Sequence, residues 1–228
     1  MTTTLRGSLE FAMSAMLLMT MSCAQGTSQN DDTKAAQANT MKTAEEAARK
    51  AIQSLPQLIT EANYRSMGFR SLDEVKSAQL GTASQRRTVS YDQLLKYQPG
   101  ASLRSFFAGE EQVVYPVQVG GQARTTLAVS RRGNNWLISS IGDAYLAELF
   151  DTAGPSFEII SIPGLNMEFA GIAQGEEWTL IPAQDYPQLQ LTRGSRVESA
   201  TALPLIAAYA QEFDKQYGEQ LRRRRLVK

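Results

Sequence analysis

Apolar residues recur at alternating spacings of four and three along Ala48, Ile52, Leu55, Ile59 and Ala62. That spacing draws one stripe on a helix, and it predicts a helix over residues 43–65. Thr43-Ala-Glu-Glu46 opens it as a capping box, with hydroxyl and carboxylate each able to hold a first-turn amide. Pro56 lies inside and is expected to kink or split it. Ser71-Leu-Asp-Glu74 is a second capping box, opening a short helix that Gly81 stops.

Beyond Gly81 the period changes to two. Strands are expected over residues 85–91, 112–119, 123–130 and 136–141, with a helical turn through Leu94 and Leu95 after the first. Gly120-Gly121 and the run 131–135 supply the hairpin turns. Pro116 cannot donate to a ladder, so its strand is expected at a sheet edge or to carry a bulge. Asp143 is placed to cap a helix over 144–150, which Gly154-Pro155 ends. Further strands are expected over 157–162, 167–173, 178–181 and 188–192. A last helix follows over about 200–221, with Pro204 in its first turn. Gly175-Glu-Glu-Trp178 echoes Gly133-Asn-Asn-Trp136, so two pseudo-equivalent halves, or one sheet from two meanders, are both open.

Strands grouped as hairpins with helices before and after imply an α+β fold. An N-terminal helix would pack on antiparallel sheet built from two β-meanders, with a C-terminal helix behind. The order of helix and antiparallel sheet resembles cystatin-like secreted domains, an analogy of fold that carries no function.

Residues 1–22 read differently. Arg6 precedes about eleven mostly apolar residues, 11–21, too few to span a membrane and of the length of a signal-peptide core. The run ends at Thr20-Met-Ser-Cys23, which holds the single cysteine of the 228 residues. These four residues resemble the lipobox of bacterial lipoproteins, in which a small residue precedes the acylated cysteine. Ser22 and Cys23 match that pattern, whereas Thr20 and Met21 depart from it. The resemblance covers the leader alone. It implies that residues 1–22 are removed, that Cys23 carries lipid, and that the protein is exported and held at a membrane. Ala24 after the cysteine resembles lipoproteins sent to the outer membrane, facing the periplasm, if the host is Gram-negative. Residues 23–41 hold little to bury and read as a tether. The α+β domain is then 42–221, and 222–228 form a basic tail.

Composition narrows the chemistry. Histidine is absent, which excludes Ser-His and Cys-His nucleophiles and histidine-bound zinc. One cysteine excludes thiolate zinc and iron–sulfur sites. No phosphate loop, dinucleotide fingerprint or nucleophile elbow is present. No cofactor or metal is therefore expected. Twenty-three basic and twenty-three acidic residues leave no net charge, and nucleic acid is not expected as a partner.

The remaining candidates are few. Tyr115, Trp136, Trp178 and Tyr186 could line a groove for a peptide or sugar, although aromatic residues in strands are more often core. Arg222, Arg223, Arg224, Arg225 and Lys228 could touch an anionic surface, or simply suit the end of a helix. Glu110-Glu111 and Glu176-Glu177 could serve a carboxylate-based hydrolase, although adjacent charges in turns are ordinary surface. The resulting expectation is a membrane-anchored envelope lipoprotein that binds a protein, a peptide or an envelope component without catalysis. The alternatives are an exported inhibitor or chaperone-like module pairing the 113–119 strand with a client, and the hydrolase.

Overall fold

The computed structural model describes residues 43–225. The proposed leader, Cys23, the tether and Lys228 lie outside them.

The first helix, α1 (Ala44–Leu58), begins where the capping box predicts, with the Glu46 amide donating to Thr43 Oγ1 at 3.1 Å. It stops seven residues short of the expected end. Pro56 supplies no amide for the last turn, and Asn63 closes the end with its side chain. Its Nδ2 donates to the Leu58 carbonyl at 3.2 Å and its Oδ1 accepts the Thr60 amide at 2.7 Å. A short helix α2 (Leu72–Lys76) follows, capped by Ser71.

One nine-stranded sheet forms the centre. Strands β1 (Gln79–Leu80), β2 (Ser84–Val89), β3 (Phe107–Val119), β4 (Gln122–Arg132) and β5 (Asn135–Ile141) come first. A turn of helix, α3 (Tyr91–Leu94), lies between β2 and β3. Helix α4 (Ala144–Thr152) crosses to the second set: β6 (Glu158–Ile162), β7 (Met167–Gln174), β8 (Glu177–Pro182) and β9 (Val197–Glu198). Helix α5 (Ser199–Arg225) ends the described chain and includes Arg222, Arg223, Arg224 and Arg225.

The order across the sheet is β5-β4-β3-β2-β6-β7-β8-β9, with β1 paired beside β3. Every pairing is antiparallel except β2 with β6, where Arg86, Arg87 and Thr88 lie beside Ile159, Ile160 and Ser161. The fold is thus α+β, as the grouped hairpins imply, with one parallel seam joining the two sets of strands.

Two expectations are corrected. β3 is interior, flanked by β4 on one side and by β1 and β2 on the other, so it offers no free edge to a client. Pro116 is tolerated there because its carbonyl, and hence its missing N–H, faces the break between β1 and β2, where it accepts the Gly81 amide at 2.8 Å. The strand does bulge against β2, and opposite Val117 the extra residue, Arg124, belongs to β4. The expected strand over 188–192 is instead a 3-10 turn, Pro187–Leu189, with a single bridge from Tyr186 to Leu191.

Core follows from alternation. Val113, Tyr115, Val117, Leu127 and Val129 point to one face, where α1 covers them with Ala47, Ala48, Ala51 and Leu55. On the same face α5 covers Ile160, Ile162, Phe169 and Leu180. Val114, Ala128, Ile159 and Ala170 point to the other face and meet Leu146 and Leu149 of α4.

Candidate functional site

The face under α4 is not fully covered. Beside the start of that helix lies a half-open cleft of about 570 Å³, within the size range of small-ligand sites. Its walls come from the middle of β2, the ends of β6 and β7, the loop after β8 and the chain leaving β5. Two backbone features shape it. Gly142 turns the chain from β5 into α4 at φ 106°, and a Cβ there would stand 2.3 Å from Met67 Sδ. Asn166 takes the left-handed conformation at φ 53° between β6 and β7.

Arg86 and Glu168 meet in this cleft. Both project from the α4 face of their strands, and the guanidinium Nη2 lies 2.8 Å from Glu168 Oε1. Arg86 Nε is buried without a hydrogen-bond acceptor. Ser161 Oγ donates to the same Oε1 at 3.3 Å. Burial pushes the Glu168 carboxyl above the ordinary carboxylate value, and the Asp143 carboxylate pushes the same way. Arg86 and the Ser161 hydroxyl pull it down, without offsetting burial.

Asp143 comes from the turn before α4. It caps that helix as expected, accepting the Leu146 amide at 2.8 Å. Tyr145, on the first turn, is 65% exposed and lines the mouth. Tyr186 stands opposite, its hydroxyl accepting the Glu168 amide at 2.7 Å and donating to the Glu168 carbonyl at 3.1 Å. Burial raises its phenol above the ordinary tyrosine value.

The four aromatic candidates do not come together. Tyr115 and Trp136 lie under α1 among apolar side chains. Trp178 lies under α5, edge-on to Phe107 with ring centroids 5.6 Å apart. Tyr186 alone of the four borders the cleft. The acidic pairs lie elsewhere as well. Glu110 and Glu111 are exposed on β3, with Glu111 paired to Arg131 at 3.2 Å, and Glu176 and Glu177 are exposed at the β7–β8 turn. Among the described residues no three acidic, histidine or cysteine side chains are grouped to hold a metal ion. No described helix is long and apolar enough to cross a membrane.

Sequence reasoning missed Arg86 and Glu168 and read Asp143 only as a cap. One signal was available. Glu168 interrupts the apolar run Met167 to Ala170, and a charge at that position in a strand requires a partner from another segment.

A second cleft of about 840 Å³ opens where β1 and β2 part, between Gly81, Pro116 and Phe157. No charged side chain lines it. Compared with protein-family models, with curated proteins and with solved structures, the chain matches none of them.

Proposed function

We propose that this protein is exported, held at a membrane by lipid on Cys23, and binds a polar group of a peptide or envelope component without catalysis. The observation that carries the binding reading is the Arg86–Glu168 pair open to a cleft that also holds Asp143. One cation and two carboxylates converge there with two phenols. Neither Asp143 nor Tyr145 is required to fill the core at that position. The excess of negative charge favours a ligand bearing an amine, with hydrogen-bonding groups for Arg86 and Tyr186 beside it.

The test uses small probes. Glycinamide and glucosamine should raise the melting temperature of the full chain, and N-acetylglycinamide and N-acetylglucosamine should not. At a concentration one hundred times Kd the stabilisation is about 2.7 kcal/mol. Asp143→Asn keeps the helix cap and should lose the preference for the free amine. Equal response to free and acetylated probes would remove the amine from the reading. The anchor is tested separately, by the intact mass of the membrane fraction from a Gram-negative host. A chain beginning at Cys23 with acyl groups, absent in Cys23→Ser, supports it, and an unacylated chain sinks it.

A raised carboxyl facing a second carboxylate also suits acid catalysis. Hydrolysis of an aryl glycoside that disappears in Glu168→Gln would put the hydrolase first.

A further inference from the structure

A different observation concerns the outer strand β5. It pairs with β4 on one side and with no described residue on the other. Its seven residues read NWLISSI, without a charge or a proline. Sheet edges are ordinarily blunted by brevity, charge or proline, because unpaired amides and carbonyls invite another strand. The opposite edge follows that rule: β9 has two residues, and one is Glu198. β5 has only a bulge, at Ser139, where Ala128 and Val129 face Ser140 and Ile138.

The edge is also apolar. Among the described residues six large apolar side chains are well exposed, and Leu137, Ile138 and Tyr145 are three of them. Leu137 stands on the α4 face and Ile138 on the α1 face, because they pair with Ser130 and Val129, which lie on those faces. A strand added to β5 would shelter both.

We propose that a second copy of this chain covers the edge, with β5 pairing to β5 antiparallel across a two-fold axis at Ile138. Charge placement favours self-pairing. Arg131 and Arg132 precede the strand, and Asp143 follows it. Arg131 is engaged by Glu111, whereas Arg132 makes no ion pair among the described residues. Antiparallel pairing sets the Arg132 end of each copy against the Asp143 end of the other, twice, as a two-fold requires. A chain of other sequence would have to supply that complement itself. One strand pair with its flanking side chains buries less than a standard interface of about 800 Å² per partner. The dimer is therefore concentration-dependent. It rests on the edge of β5 and its flanking charges and does not require the binding reading, although Asp143 also lines the cleft.

The test uses the full chain in mild detergent, with Cys23→Ser so that an introduced cysteine is the sole one. Under mild oxidation Ile138→Cys should cross-link to itself. Leu137→Cys and Ser140→Cys, which share the α4 face across the bulge at Ser139, should each stay uncross-linked alone and cross-link when mixed. In sedimentation velocity the native sequence should shift toward dimer as concentration rises. Ile138→Lys, at an exposed position, should stay monomeric, and Arg132→Glu should weaken the dimer severalfold. A native chain that is monomeric at its highest soluble concentration overturns the proposal. So does cross-linking strongest at the strand ends rather than at Ile138. If Ile138→Cys, expressed in cells, cross-links only to other polypeptides, the edge takes a different partner and the proposal falls.

Discussion

Glu168 is held between opposing demands. The sheet buries its carboxyl, and Arg86 offers it a charge partner at 2.8 Å. Burial dominates, so the folded chain holds its proton at a pH where the unfolded chain has released it. The native state therefore binds more protons over that window. The stabilisation tied to the protonated group is complete below the ordinary carboxylate value, about pH 4, and is lost as pH rises through the folded value. Glu168→Gln removes this titration. In urea unfolding at a series of pH values, the stability of the native protein relative to Glu168→Gln should fall as pH rises above about 4, then level off. A relative stability that climbs with pH would show that the Arg86 pair outweighs burial. At this scale the sequence was partly legible. The caps at Thr43, Ser71 and Asp143 could be read because a cap and its amide lie three residues apart. The Arg86–Glu168 pair could not, because its members come from strands far apart in the chain.

Elements were legible where the pattern is local. The strands 112–119 and 167–173 fall within β3 and β7 because side chains alternate along the pleat. The end of α1 was misjudged because the stripe continues through Ile59, which stays buried after the helix has stopped. Burial alone thus mimicked a helix that Pro56 and Asn63 end. Neighbours within the hairpins were legible from the turns at Gly120-Gly121 and 131–135, whereas the β2–β6 seam was not, and of the two readings of Pro116 the bulge holds and the edge does not. Packing between elements has its own signature at Gly171. A Cβ there would stand 2.7 Å from Ile160 Cγ1 and 2.9 Å from Trp178 Cε3, both on buried side chains. The missing side chain is the room that Trp178 occupies. Gly171→Ala should therefore destabilise by about 1–3 kcal/mol through overpacking. Gln174→Ala, at an exposed position of the same strand, should stay within about 0.5 kcal/mol. Chemical unfolding of both variants checks the pair, and equal stabilities would mean that the strand can shift to admit a methyl group.

At the scale of the molecule, the question is whether two meanders on one parallel seam behave as one body. The seam itself is narrow. It has three paired positions, the Arg87–Glu158 and Arg86–Glu168 ion pairs at 2.6 and 2.8 Å, and the Ser84 hydroxyl on the Phe157 carbonyl at 2.7 Å. Such contacts alone would allow the halves to part, since partly exposed ion pairs contribute about 1 kcal/mol or less. The apolar packing argues otherwise. The cluster beneath α5 takes Val89, Leu94 and Phe106 from the chain before β3, together with Phe169, Trp178 and Leu180 from the second meander. The cluster beneath α4 joins Val114 and Ala128 to Ile159 and Ala170 across the same seam. Separating the halves would expose both clusters, at about 25 cal/mol for each Å² of apolar surface. Unfolding is therefore expected to be a single transition. The two tryptophans share a face of the sheet but report on opposite sides of the seam, Trp136 under α1 and Trp178 under α5. In Trp178→Phe the remaining emission follows the first half, and in Trp136→Phe it follows the second. Within each variant the emission and the far-ultraviolet circular dichroism should change at the same urea concentration. Comparison inside one variant removes the different stabilities of the two substitutions. A Trp136 signal that moves before the circular dichroism would mean that the β2–β6 seam opens first and that the halves fold as separate units.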